Sequence, residues 1–78
     1  MIHTITPNAI EVRFPAYVVL FSYDKPVAYE DRATKQCYKT AYFVSKATKG
    51  HIERWLNGRE VLDVAQETLD NLPPLKEA

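Results

Sequence analysis

Apolar and polar residues alternate near the start of the chain, in the segment NAIEVRF at positions 8–14. The apolar positions from Ile10 to Phe14 fall on one side of an extended backbone, and Glu11 and Arg13 fall on the other. This alternation predicts a half-buried strand whose polar side faces solvent.

A nearly continuous apolar run, AYVVLFSY at 16–23, follows Pro15. Its β-branched and aromatic residues predict a strand that is covered on both faces or central in a sheet. The residues DKP at 24–26 have the composition of a turn, so we expect the chain to reverse into a further strand, VAYE at 27–30. These two strands should form a hairpin.

The polar segment at 31–36 shows no apolar period and is predicted to be a loop, after which CYKTAYFV at 37–44 returns to strand composition. Short connections favour the pairing of strands that follow one another along the chain. The pattern therefore predicts an antiparallel meander of three or four strands.

The segment SKATKGHIERWL at 45–56 predicts a helix of about two to three turns. Ser45 and Thr48 are residue types that cap helix N-termini. The apolar residues Ile52, Trp55 and Leu56 follow at the spacing of one helix face. Asn and Gly at 57–58 suit the left-handed conformation that ends a helix.

A second amphipathic helix is predicted from Glu60 to Leu72, ended by Pro73 and Pro74. Its apolar stripe comprises Val61, Val64, Ala65, Thr68, Leu69 and Leu72. The predicted fold is therefore α+β, a three- to four-stranded antiparallel meander followed by two C-terminal helices packed on one face. We expect a single domain at 1–72 and a mobile tail at 73–78.

Composition limits the class of protein. A chain of 78 residues is long enough for one hydrophobic core, and an apolar fraction of 46% is sufficient to form it. The single cysteine, Cys37, excludes a disulfide within the chain and favours a reducing cytoplasm. No apolar run reaches the roughly 18 residues of a membrane helix, and the N-terminus lacks the pattern of a targeting signal. We therefore expect no membrane contact.

Positive and negative residues are unevenly distributed, although the net charge is zero. From Arg32 to Arg54 there are six positive residues and one negative residue, whereas from Glu60 to Ala78 there are five negative residues and one positive residue. This polarity can steer an oppositely charged partner. It also fits an ordinary solvated surface.

His51 is the residue for which the sequence has to be tested against the most different roles: metal ligand, catalytic base or structural hydrogen-bond partner. A metal site would need two or three ligands at suitable spacing, and the remaining histidine and cysteine, His3 and Cys37, are far away in sequence. A triad with Ser45 lacks the flanking glycine pattern of a nucleophile elbow. We therefore predict no catalytic residue, no metal and no cofactor, with His51 hydrogen-bonded at the start of the helix and Cys37 as a small apolar filler.

Aromatic and basic residues interleave around the last predicted strands and the helix. The candidate binding residues are Tyr29, Lys35, Tyr38, Lys39, Tyr42, Lys46, Lys49 and Arg54. An open sheet face carrying them suits a protein partner, because aromatic residues and arginine are favoured at interface centres. The same face predicts single-stranded nucleic-acid binding as the alternative, by stacking of bases on the tyrosines. A homodimer would also bury it.

Two segments carry a resemblance to a known group. LFSYDKPVAYE at 20–30 and YKTAYFVSKATKGHIERWL at 38–56 resemble small uncharacterised proteins of bacteriophages and mobile elements. The shared features are a Ser-Tyr hairpin that leads to Val-Ala, a Thr and a Tyr on the next strand, and a Ser/Thr-rich helix start before His-Ile-x-x-Trp-Leu. The matching positions are Ser22, Tyr23, Val27, Ala28, Thr40, Tyr42, Ser45, Thr48, His51, Ile52, Trp55 and Leu56.

The resemblance covers about half of the chain and implies a phage or mobile-element setting without implying an activity. Here Ala47 and Gly50 replace threonines that the group carries before the histidine, and Asp24 stands where the group has a small residue. By analogy of size and setting, we expect a protein that binds a host or defence component in the host cytoplasm, as anti-CRISPR inhibitors do.

Overall fold

Within residues 2–42 and 44–72, which the computed structural model describes except for the His3 side chain, the chain forms six strands and two helices. Their order and bounds are β1 Ile2–Thr6, β2 Ala9–Arg13, β3 Tyr17–Ser22, β4 Lys25–Asp31, β5 Cys37–Thr40, α1 Lys46–Leu56, β6 Val61–Val64 and α2 Gln66–Asp70. The predicted tail at 73–78 and Phe43 lie outside the described residues.

All the strands join one mixed sheet in the order β1-β2-β3-β4-β5-β6. The first five are antiparallel neighbours, because short turns bring each strand back beside the previous one. β6 instead pairs parallel to β5. A parallel pair requires a crossover connection, and α1 supplies it.

The predicted fold is wrong in its sheet and in its helices. Within the described residues the sheet has six strands rather than the three or four predicted, since β1 adds to β2 at one edge and β6 adds in parallel to β5 at the other. β1 lies ahead of the first predicted strand, and its leading residue Ile2 is exposed. A strand with so little buried apolar surface has a weak sequence pattern.

The helix predicted from Glu60 to Leu72 is also wrong, because its first part is β6 and only Gln66–Asp70 is helical. Gly58, at φ 84°, redirects the chain after α1. Residues 61–64 then reach the open edge of β5, where Val61 lies opposite Cys37 and Val64 opposite Thr40. Ladder hydrogen bonds to β5 and β-branched side chains favour the strand over the helical pattern.

The β3–β4 hairpin turns one residue earlier than predicted, at Tyr23 and Asp24. Both residues have positive φ, 51° and 67°, as a two-residue hairpin with the right-handed strand twist requires. Pro26 lies opposite Phe21 at a register shift that begins after Leu20. The turn therefore places the Tyr23 side chain at the tip of the hairpin.

α1 agrees with the sequence prediction. Ser45 is its N-cap and accepts a hydrogen bond from the Thr48 backbone N–H, while Asn57 is its C-cap at φ 49°. Its apolar face packs on one face of the sheet, in a core that also buries Cys37 as predicted. This core comprises Val18, Leu20, Val27, Ala28, Cys37, Ile52, Trp55 and Leu56.

The polar side of β2, predicted to face solvent, instead meets α1. The Trp55 indole Nε1 donates a hydrogen bond of 2.8 Å to Glu11 Oε1. The Arg59 guanidinium lies 4.7 Å from the centre of the Trp55 ring on the following turn. Glu11 is therefore part of the contact between the sheet and the helix.

α2 lies on the opposite face of the sheet from α1, so the predicted packing of both helices on one face is also wrong. Val18 and Leu20 contact the α1 core, whereas Val19, between them on β3, packs with Leu69 of α2. Successive residues of a strand point to opposite faces. The second core comprises Val19, Tyr29, Leu69 and Leu72, bordered by Phe14, Tyr17, Phe21, Tyr38 and Val64.

Tyr29 is expected to make stability fall at alkaline pH. Burial first, and then the neighbouring Tyr38, Tyr17 and Asp31, raise the pKa of its phenol. The protonated phenol is therefore favoured by folding. This stability is present below the ordinary tyrosine pKa of about 10 and is lost as pH rises through the raised pKa of the folded state.

We expect Tyr29→Phe to lose less stability than the wild type as the pH rises above about 10, the ordinary pKa of tyrosine. Urea unfolding at several pH values measures this difference. Tyr42→Phe is the matched control, since Tyr42 is exposed and should leave the pH dependence unchanged. Burial also raises the pKa of the Cys37 thiol. Cys37 is present in all three proteins, so it contributes equally to the pH dependence of their stability. Equal pH slopes for the wild type and Tyr29→Phe would contradict the prediction.

Candidate functional site

The predicted sheet residues do not form an open aromatic and basic face. Tyr29 is buried, and its ring stacks on that of Tyr38 with 4.7 Å between centroids. Lys39 Nζ lies 2.7 Å from Asp63 Oδ1 on β6. α2 therefore covers the sheet face with Tyr29 and Tyr38, on which nucleic-acid bases would have stacked.

The other predicted residues separate towards the two ends of α1. Lys46 and Lys49 lie in its first turn, whereas Arg54 lies in its last turn. A helix rises about 1.5 Å per residue, so Lys46 and Arg54 are roughly 12 Å apart along the axis. Lys35 lies with the residues at the Arg54 end. The eight predicted residues thus belong to different surfaces.

A cleft of about 580 Å³ opens at the first-turn end of α1, and we call it the tyrosine cleft. It lies between the β3–β4 hairpin, the connection from β5 to α1, and α2. Its lining residues are Ser22, Tyr23, Lys25, Val27, Tyr42, Val44, Ser45, Thr48, Gln66 and Asp70.

The parallel pairing of β5 and β6 explains why the cleft forms at this place. Both strands end at the same edge, where the Ala41 N–H donates to the Val64 carbonyl at 2.7 Å. α1 and α2 each start soon after one of these strand ends. Open sheets with parallel strands commonly bind ligands beyond the carboxyl ends of those strands. The tyrosine cleft has this position.

The rim of the cleft is aromatic and its floor is apolar. Tyr23 and Tyr42 are 52% and 60% exposed and belong, with Ile2 and Leu62, to the exposed large hydrophobic residues of the described chain. Val27 is buried and Val44 half-buried, and both line the cleft. Sequence reasoning missed Tyr23 as a binding residue. An aromatic residue beside a turn was the available signal.

A chain of hydrogen bonds in the lining of the cleft joins α1 to the hairpin. Ser45 Oγ donates to Thr48 Oγ1 at 3.1 Å, and Thr48 Oγ1 lies 3.0 Å from Ser22 Oγ. Ser22 Oγ in turn lies 2.8 Å from His51 Nδ1. His51 therefore anchors α1 to the sheet, as predicted, but it lies in the middle of the helix and not in its first turn, where the sequence analysis placed it.

This hydroxyl and imidazole cluster is poorly arranged for nucleophilic catalysis. Ser22 is only 2% exposed, and its hydroxyl contacts both Thr48 and His51. Burial is also the main cause that raises the pKa of the Cys37 thiol, so its reactive thiolate is disfavoured. Across the described residues, no group of three or more His, Cys, Asp or Glu side chains could hold a metal ion.

A second surface lies at the last-turn end of α1, and we call it the arginine surface. It consists of Arg13, Arg32, Lys35, Arg54 and Arg59. Two depressions of about 530 and 280 Å³ form it and share Glu11 and Arg13 in their linings. Sequence reasoning missed Arg13 and Arg59, because only tertiary structure brings β2 and the end of α1 together.

The fold and its clefts define a small domain with a mixed sheet covered by α1 on one face and α2 on the other. The chain belongs to a family of unknown function (DUF8033), whose model matches residues 2–71. Neither a curated protein nor a solved structure matches the chain. The resemblance to phage and mobile-element proteins stays a prediction. Among the described helices, none is long and apolar enough to cross a membrane.

Proposed function

We propose that this chain is a small non-catalytic protein of a phage or mobile element that binds a protein partner through the tyrosine cleft. The partner is a host or defence component, and the site of action is the host cytoplasm. The resemblance of 20–30 and 38–56 to such proteins supports the setting. The inhibitory role, of the anti-CRISPR type, rests on analogy of size and setting.

The tyrosine cleft is the observation that carries the proposal. Tyr23 and Tyr42 stand exposed on either side of an apolar floor. Tyrosine is enriched among the residues that dominate interface energies, because its large ring buries apolar area at a low entropic cost. The hydrogen bonds of Ser22 with Thr48 and His51 hold both the hairpin and α1 in place. The cleft is therefore already organised before a partner binds.

The occupant we propose is one large apolar side chain of the partner, flanked by polar residues. Val27 and Val44 form an apolar floor for such a side chain. Lys25 and Asp70 also line the cleft, so both signs of charge are available to the flanking residues. An apolar centre within a polar rim is the usual composition of a protein interface.

The proposal is tested by capture of partners from host lysate on the immobilised protein, with and without nuclease. Tyr23→Ala combined with Tyr42→Ala should weaken a captured partner by about 30-fold or more, since a hot-spot residue contributes about 2 kcal/mol or more. The matched control is Leu62→Ala, which removes an exposed apolar side chain from the edge strand β6. It should leave the affinity unchanged.

A nuclease-resistant partner whose affinity depends on the two tyrosines supports the proposal. A partner retained equally by the double variant would refute the cleft as the binding site. Material lost on nuclease treatment would instead favour single-stranded nucleic-acid binding, which the buried position of Tyr29 disfavours. Light scattering of the purified protein separates both outcomes from a homodimer that buries the tyrosines itself.

A further inference from the structure

We infer that the arginine surface receives an acidic segment of a protein partner, whose carboxylates contact the guanidinium groups. This inference rests on the proposed function, because it names the chemistry of the partner at a second surface. The two surfaces lie at opposite ends of α1, so each can be tested without disturbing the other.

Several of these cations are held in position before any partner binds. Arg59 donates from Nε to the Leu56 carbonyl and from Nη2 to the Trp55 carbonyl, each at 3.0 Å. Arg32 donates from Nη1 to the Phe14 carbonyl at 3.1 Å. An arginine whose side chain is already ordered loses less entropy when it binds an anion.

Carboxylates within the surface help to order the cations without cancelling them. Glu11 Oε2 lies 2.9 Å from Arg13 Nε, and Glu30 Oε1 lies 3.4 Å from Arg59 Nη1. The lining thus contains five cations and two carboxylates, an excess of three positive charges. That excess attracts an anionic group to this end of the molecule.

The composition favours protein carboxylates over a long polyanion. Four of the five cations are arginines, whose planar donors match a carboxylate in a bidentate arrangement. The chain as a whole is neutral and carries Glu60, Asp63, Glu67 and Asp70 on later segments. A long nucleic acid would be repelled by such residues once it extended beyond the arginine surface. A short acidic segment fits within it.

The test is an NMR titration of the isotope-labelled protein with a short polyglutamate peptide at low ionic strength. Amide shifts should concentrate at positions 13, 32, 35, 54 and 59. Lys35→Gln combined with Arg54→Gln should weaken binding about fivefold, because exposed charge pairs contribute modest energies. Neither side chain has a hydrogen bond or ion pair within the described part of the chain, so the fold should be retained.

Lys46→Gln combined with Lys49→Gln is the matched control, since it removes the same charge from the other end of α1. Equal weakening by both double variants would overturn the inference in favour of overall charge. Tighter binding of oligothymidylate, with a steep dependence on salt, would assign the surface to nucleic acid instead. Absence of peptide binding overturns the inference alone, whereas a partner that ignores Tyr23 and Tyr42 overturns the proposed function alone.

Discussion

Replacement of Trp55 by alanine is expected to lower the free energy of unfolding by about 3–5 kcal/mol, the range for large aromatic residues in protein cores. Trp55 is 6% exposed and packs in the core between α1 and the sheet. The substitution also removes the indole donor to Glu11 and the ring on which Arg59 lies. Domains are typically stable by about 5–15 kcal/mol, so the loss would remove a large part of the stability of this small protein.

Urea unfolding followed by far-UV circular dichroism measures the Trp55→Ala effect. Trp55→Phe keeps most of the ring but loses the hydrogen bond to Glu11, which should cost about 1–3 kcal/mol. Arg54→Ala, at the exposed neighbouring position, should change stability by less than about 0.5 kcal/mol. A Trp55→Ala protein as stable as Arg54→Ala would show that α1 does not pack on the sheet through this residue.

Replacement of Leu69 by alanine is expected to lower the free energy of unfolding by about 2–5 kcal/mol, the range for a buried leucine. Leu69 is fully buried, at 0% exposure, and joins α2 to the core with Val19 and Tyr29. α2 has only five residues and its N-cap, Ala65, makes no side-chain cap bond. A helix this short has little stability of its own, and its stability must therefore come from the packing of Leu69.

Thr68→Ala is the matched control, because Thr68 lies beside Leu69 on α2 and is exposed. It should change the free energy of unfolding by less than about 0.5 kcal/mol. The same urea experiment measures both variants. If Leu69→Ala were as stable as Thr68→Ala, the second face of the sheet would not depend on α2, and Tyr29 would be open to ligands after all.

The packing of α1 and α2 on the two faces of the sheet also determines whether the tyrosine cleft exists. Gln66 on α2 donates from Nε2 to the Pro26 carbonyl of the hairpin at 2.8 Å, closing one side of the cleft. Ser22 and His51 join the hairpin to α1 on another side. A variant that releases α2 should therefore also weaken a partner bound at Tyr23 and Tyr42.

Local signals in the sequence were sufficient for α1, for the strands β2 to β4 and for the first half of the strand predicted at 37–44, which ends at Thr40. The Ser45 cap and the Asn57–Gly58 stop act within a few residues, so they do not depend on the rest of the fold. Apolar runs separated by short turns likewise predict neighbouring antiparallel strands. The hydrogen bond of His51 to the sheet was also predicted, although His51 lies in the middle of α1 and not at its start.

The residues of the two proposed binding surfaces were predicted only in part. Tyr42 and Arg54 do lie on the tyrosine cleft and the arginine surface, respectively. Their neighbours Tyr23 and Arg59 were missed, because proximity in space comes from the hairpin and from the crossover. Tyr29 was expected on an open face, and its burial depends on where α2 lies.

The sequence by itself thus determined the helix α1, most of the central meander and the burial expected of Cys37. Only tertiary structure decided the secondary structure of the segment from Glu60 to Leu72, although its apolar spacing fits a single helix. Residues 61–64 form a ladder of backbone hydrogen bonds with the edge of β5. Leu69 and Leu72 pack on the sheet face that α1 leaves uncovered. Such long-range partners outweigh intrinsic propensities of less than about 1 kcal/mol per residue.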